Sequence, residues 1–434
     1  MASRMELREA GVGLVELSFV DNAGITRVKT VPLDRLSAAA TTGVGIAPCF
    51  EGAGADDVFV TARHLGGPDG DLRLIPDLDR LVALSAMPGW AWAPADKVTK
   101  AGEPWVACQR GFAARQTEAA ARVGLRLLMA FEHEWTLAQR GTGFVPAFDG
   151  PAYGQIRLEQ VADYAVDLVN DLTRQGLEVQ QFHPEYATGQ LEISVAPDTP
   201  VGAADDAVLV RHTVRARSLA HAWRATFAPS VDPAGAGSGG HLHLSVHDET
   251  GNLFAGPRPR GEAFLAGVLR ELPALVGIGA GHPASFLRLV PSRWAGVWQC
   301  WGHETRETAL RLVDGDERSA NAEVKCFDAT ANPYLLVGCV IAAGLAGVAD
   351  DARLPEPVTG DPALLTDADR ARAGVARLPA TAVEAADALA ASRVLERALG
   401  EQLHDAIVTV RRAEAARCAE LGPEELAAAT RWRW

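Results

Sequence analysis

Apolar and polar residues change period several times along this chain, and each change marks an element. Val12, Leu14, Val15, Leu17 and Phe19 lead into Asp21-Asn22-Ala23-Gly24; the return, 26–31, puts Thr26, Val28 and Thr30 on one face and Arg27 and Lys29 on the other. β-prone runs around such a turn predict a hairpin. Short strands are expected near 57–60 and 72–74, and Pro76, Pro88 and Pro94 predict a loop-rich stretch to about residue 105. Beyond it the pattern predicts a helix over 111–123, a strand over 125–137 and a helix over 161–175 with apolar Val161, Tyr164, Ala165, Leu168 and Leu172 on one side. A strand ending at 183, a strand over 191–195, a helix over 200–224 and a strand over 241–246 follow. The Gly/Ala-rich run 334–348 reads as a buried helix and 382–431 as helical throughout. This order predicts an α+β fold with a small β-rich domain at 1–98 and a larger domain at 99–434. The larger domain is expected to hold a curved antiparallel sheet with its polar face turned to a site.

Composition narrows the partners. The 434 residues carry a formal charge of −14, which argues against nucleic acid, since phosphate binding needs a basic face. No apolar run approaches the ~20 residues of a membrane span, and the first residues, Met-Ala-Ser-Arg-Met-Glu-Leu-Arg, are charged where a signal peptide is apolar. Six scattered cysteines without a Cys-x-x-Cys pair fit a reducing compartment. A cytoplasmic protein without membrane contact is expected.

The chemistry lies in acidic motifs. Phe-Glu-His-Glu places Glu132 and Glu134 on one face of a strand; His-Pro-Glu-Tyr-Ala-Thr-Gly-Gln-Leu-Glu carries Glu185 and Glu192 around a turn; Gly-Ser-Gly-Gly-His-Leu-His carries His241 and His243; Asn-Ala-Glu-Val-Lys adds Glu323. Hard oxygen ligands with an imidazole suit Mg²⁺ or Mn²⁺ better than zinc. An acidic cage of this kind is useful where a polyphosphate must be held and neutralised.

Taken in series, these motifs resemble the glutamine synthetase family over nearly the whole chain. Arg-Leu-Val-Pro after Leu287, Thr-Arg-Glu-Thr-Ala-Leu-Arg ending at Arg311, and Glu-Val-Lys-x-x-Asp-x-x-x-Asn-Pro-Tyr-Leu from Glu323 extend the match. The resemblance implies a β-grasp N-terminal domain, a large catalytic domain, and a homo-dodecamer of two stacked hexameric rings. It implies glutamate, ATP and two to three divalent ions as ligands, with a γ-glutamyl phosphate attacked by a nitrogen nucleophile. By motif, Glu134, Glu185 and Glu192 resemble the ligands of the metal beside glutamate, and Glu132, His241 and Glu323 those of the metal at the ATP phosphates. Arg288 resembles the grip on the α-carboxylate, Arg306 and Arg311 the pair on the transferring phosphoryl group, and His243 and Lys325 the ATP contacts. Gly237 and Gly239 keep a loop thin beside glutamate.

Two departures bear on the nucleophile. Where an ammonia-using member has Phe-Asp-Gly-Ser-Ser, this chain reads Phe50-Glu51-Gly52-Ala53-Gly54, and Trp294 stands in the place of the glutamate that guards the ammonium site. An aromatic wall suits an amine bearing carbon. The expectation is an ATP-dependent ligase joining the γ-carboxylate of glutamate to ethanolamine or another small monoamine, with Glu51 acting across a subunit interface to bind the amine and take its proton. Ammonia-using glutamine synthetase and an inactive paralogue serving as a glutamate or nucleotide sensor are the alternatives.

Overall fold

A computed structural model describes residues 4–141 and 143–434; the first three residues of the charged N-terminus lie outside them. Six strands form the first sheet: β1 (Leu14–Val20), β2 (Thr26–Pro32), β3 (Val44–Ile46), β4 (Leu72–Pro76), β5 (Val82–Ala83) and β6 (Trp90–Thr99). Their order is β2-β1-β6-β4-β3, with β5 on β6, and β1 runs parallel to β6. The predicted hairpin is β1–β2.

Two expectations fail here. Residues 57–60 make only an isolated bridge, Ala53 with Phe59. The stretch read as loop contains β6, the central strand of the sheet. Pro94 is tolerated because Ser18↔Pro94 is the last pair of the β1–β6 ladder, so its missing N–H falls where that pairing stops.

The second sheet comprises β7 (Arg126–Gln139), β8 (Val179–Pro184), β9 (Gln190–Val195), β10 (Trp223–Thr226), β11 (Gly240–Asp248), β12 (Gly251–Asn252), β13 (Trp298–His303), β14 (Thr308–Val313), β15 (Asn321–Val324) and β16 (Ala376–Arg377). The order is β16-β13-β14-β15-β11-β7-β9-β8, with β10 on β7 and β12 on β11. All pairs are antiparallel except β13–β14. The helix expected over 200–224 ends earlier, as Pro200–Ala220; Ala222 turns left-handed (φ 59°) and the chain re-enters the sheet as β10.

Alternation along the strands divides core from site. On β7 the side chains of Leu127, Met129, Phe131 and Trp135 join the hydrophobic core, while Leu128, Ala130, Glu132 and Glu134 line a cavity on the other face. Leu191 and Ile193 against Glu192 and Ser194 repeat the division on β9, as do Ala322 and Val324 against Asn321 and Glu323 on β15. Helices cover the core face. Pro333–Ala349, predicted as a buried helix, crosses Pro259–Gly279 so closely that a Cβ on Gly347 would lie 2.6 Å from the Cα of Gly267. Small residues permit that approach, which explains the Gly/Ala-rich composition.

Candidate active site

The polar face of the second sheet lines a cavity of about 920 Å³. Strand register builds its floor. His183 on β8 faces Glu192 on β9, which faces Glu134 on β7; Glu132 on β7 faces His241 on β11; His243 on β11 faces Glu323 on β15, which faces Arg311 on β14. Residues far apart in sequence become one row of acids and imidazoles because each strand offers alternate positions to the same face.

Two sets of side chains could each hold a divalent cation: Glu132 with His243 and Glu323, and His183 with Glu185 and Glu192, the ligand atoms of each set lying within 4.8 Å of one another. His241 adjoins the first set, its Nδ1 3.3 Å from Glu132 Oε2 and 3.1 Å from Glu323 Oε1, its Nε2 3.8 Å from Glu134 Oε1. The floor therefore brings together all six residues assigned to metal and adds two histidines. His243, expected at the phosphates, puts Nε2 3.1 Å from Glu132 Oε2 while its Nδ1 meets Asn321 Oδ1 at 2.9 Å. His183 puts Nε2 3.1 Å from Glu192 Oε1. It lay in the His-Pro-Glu motif without an assigned role; its signal was the same period of two that pairs Glu132 with Glu134.

The electrostatics fit bound cations. Burial and the crowding of Glu132, Glu134 and Glu185 push Glu192 up to about 12. Burial raises Glu134 as well. Burial opposes ionisation of Glu132 and Glu323, yet both stay well below the usual carboxylate range: Glu132 through its hydrogen bonds to Glu192, His241 and His243, Glu323 through Lys325 and His241. So many carboxylates in one row are short of positive charge, which divalent ions would supply.

Arg288 lies buried beside this row, its Nη2 3.0 Å from His241 Nε2 and donating to the Lys325 carbonyl at 3.1 Å. Arg311 donates to Glu323 at 3.1 Å and to Glu304 at 2.6 Å; Lys325 donates to Glu323 at 3.0 Å. Arg306 lines the cavity with its side chain exposed. Gly237 lines the cavity too, and a Cβ on Gly239 would fall 2.8 Å from Glu134 Oε1 and 2.9 Å from Arg288 Nη2, so only glycine fits above the floor.

At the mouth the structure places Trp294 but not Glu51. Trp294 lines the cavity, its ring 5.1 Å from that of Tyr186 and tilted by 51°. Tyr153, also at the mouth, donates from its hydroxyl to both oxygens of Glu185, at 2.7 and 2.8 Å. Neither tyrosine was singled out from sequence, because no acidic partner neighbours Tyr153 in the chain. Glu51, by contrast, does not face the cavity. It is 1 % exposed, ion-paired with buried Lys97, and accepts from Gln109 at 2.8 Å, while its carbonyl accepts from Asn22 at 2.8 Å. Within its own subunit the carboxylate neutralises a buried lysine.

Residues 3–105 match the glutamine synthetase N-terminal domain, and residues 106–427 match the glutamine synthetase catalytic domain. The chain belongs to the glutamine synthetase family. It is thus an ATP-dependent carbon–nitrogen ligase, of a family that uses divalent metals. A gamma-glutamylpolyamine synthetase of Streptomyces coelicolor is 51% identical over 99% of this chain and 95% of its own. A glutamate–isopropylamine ligase of a Pseudomonas species is 26% identical over 82% of each chain. A solved structure described as a novel glutamine synthase homolog superposes with TM-score 0.87 and 31% identity, covering 98% of this chain and 99% of its own. Among the described residues no helix is long and apolar enough to cross a membrane, and the six cysteines are unpaired.

Proposed function

We propose that this chain joins the γ-carboxylate of glutamate to a carbon-bearing primary amine, with aliphatic di- and polyamines as the leading class, through a γ-glutamyl phosphate. The observation that carries the reading is the aromatic pair Trp294–Tyr186 at the cavity mouth, beside Tyr153 and Glu185. A small bare cation gains little from a wall of rings. An alkylammonium gains contact along its carbon chain and cation–π attraction worth about 0.5–2 kcal/mol. The resemblance to a gamma-glutamylpolyamine synthetase supports the longer amines over the monoamine expected from sequence.

In this reading Glu132, Glu134, Glu185, Glu192, His241 and Glu323, with His183 and His243, hold the divalent ions. Bound there, divalent ions would supply positive charge to the triphosphate and to the phosphoryl group in transfer. Arg288 holds the α-carboxylate, while Arg306 and Arg311 stabilise the phosphoryl group in transfer. The amine nitrogen then bonds to the γ-carbon, phosphate departs with the C–O electron pair, and the nitrogen loses a proton. Phosphate release with glutamate, ATP and Mg²⁺ is measured against ammonia, monoamines, putrescine and spermidine, with mass identification of the product. Faster turnover per KM with an amine than with ammonia is expected; a clear preference for ammonia overturns the reading.

A further inference from the structure

We infer that Glu307 is a positioning residue for the amine: by gripping the backbone of Trp294 it fixes the aromatic wall against which the substrate's carbon chain packs. The inference rests on the amine-ligase reading and adds to it a residue that lies outside the assigned motif positions.

The segment from Pro291 to Gly296 links the short helix Ser285–Arg288 to β13. Three of its residues are left-handed: Ser292 and Trp294 at φ 57° and Gly296 at φ 63°. Glycine adopts this conformation freely; serine and tryptophan do so only against steric resistance. Such residues persist where the surroundings over-determine them. Three contacts do so here. Ser292 Oγ donates to Asp361 at 2.6 Å, Arg293 donates to the Gly235 carbonyl at 2.8 Å, and the Trp294 N–H donates to Glu307 Oε1 at 2.8 Å. The first two hold neighbouring side chains. Only the third holds Trp294 itself, and with its amide fixed the indole meets Tyr186 at the mouth.

The position of Glu307 in the chain matters. It follows Arg306, which lines the cavity, and precedes β14, whose Arg311 reaches the floor. One strand end thus carries both the proposed phosphoryl contacts and the support of the amine wall. Only one Glu307 oxygen is used: Oε2 is buried without a hydrogen-bond partner. The support therefore needs an acceptor at the length of glutamate and does not need its charge. Glutamine, whose carbonyl oxygen can accept the same N–H, should serve as well; alanine should not.

The test compares Glu307→Gln and Glu307→Ala in the full-length enzyme, with Trp294→Ala and the double variant Trp294→Ala/Glu307→Ala completing a cycle. KM is measured for the best amine, for ammonia, for glutamate and for ATP. Glu307→Ala is expected to raise the amine KM roughly 2- to 12-fold, the span of one typical hydrogen bond. Glutamate and ATP should stay within about twofold, Glu307→Gln should match wild type, and Glu307→Ala should add little on top of Trp294→Ala. Glu307→Met, which keeps length without an acceptor, carries the same comparison if the alanine variant does not fold. Equal losses for amine and ammonia, a glutamine variant as impaired as alanine, or full additivity with Trp294→Ala would each overturn the inference. Failure of the underlying amine reading shows separately, as an ammonia preference in the wild-type enzyme before any variant is made.

Discussion

The floor of the cavity and its mouth are built in opposite ways. On the floor, strand register places most groups, and the central side chains are buried: Glu323 is 2 % exposed and His241 7 %. Moving one of them would mean slipping a strand, which turns every neighbour on that strand to the other face. At the mouth, loops hold three aromatic rings that are about half exposed, and Tyr153 and Trp294 both sit in left-handed conformations. Loops tolerate change that a central sheet does not. The difference separates two tasks. In the proposed reading, phosphoryl transfer, the same for any nucleophile, rests on the part that resists alteration, and choice of nucleophile on the part that can be altered one residue at a time.

The largest effect should come from the floor. The Glu323 carboxylate meets His241 at 3.1 Å, Arg311 at 3.1 Å and Lys325 at 3.0 Å. Glu323→Ala removes the common partner of two cationic side chains and an imidazole, and glutamate-dependent ADP release should fall by at least ~10²-fold, the scale of losing one preorganised charge partner. The loss should be alike for every nucleophile; a variant that fell for amines but held for ammonia would erase the distinction between floor and mouth.

Next in size is a variant that should affect neither region. Glu51→Ala leaves Lys97 buried and unpaired, which costs about 3–5 kcal/mol and should appear as a lower unfolding midpoint. Amine-over-ammonia selectivity should be unchanged. A selectivity change without loss of stability would return Glu51 to the amine site.

What sequence could convey follows the same division. Glu132/Glu134 and His241/His243 were legible because alternation on a strand is a local property, and the hairpin Leu14–Pro32 was legible for the same reason; Glu185, Glu192, Glu323 and Lys325 stood out only as parts of longer motifs. β6 was not legible: its pairing with β1 spans most of the N-terminal domain, and three prolines in the neighbourhood imitate a loop. The burial of Glu51 was not legible either, because a motif position carries no record of it, and Lys97, which neutralises it, is 46 residues away. Tyr153 and Tyr186 reach the mouth through loop conformations that no periodicity encodes.

The mouth yields the smaller effects. Trp294→Ala removes the indole from above Tyr186 and should raise the KM of a polyamine roughly 2- to 30-fold, the span of a cation–π contact, while leaving the KM of ammonia nearly unchanged. Equal losses for both nucleophiles would mean that the ring only seals the cavity.

Tyr153→Phe is the finest probe. The hydroxyl donates to both oxygens of Glu185, and its own ionisation is suppressed, first by burial and then by that carboxylate. Its removal leaves the ring in place and frees lone pairs on an acid that also belongs to the cation set with His183 and Glu192. Half-exposed Tyr153 can be replaced by water, so the change should stay below the ~1.5–3 kcal/mol of a fully buried charged hydrogen bond. If Tyr153 belongs to the mouth, the KM of the amine rises a few-fold and the Mg²⁺ concentration for half-maximal rate holds. If the hydroxyl instead serves the floor by orienting Glu185, the Mg²⁺ requirement shifts and the amine KM does not. That single residue therefore locates the boundary between the two regions.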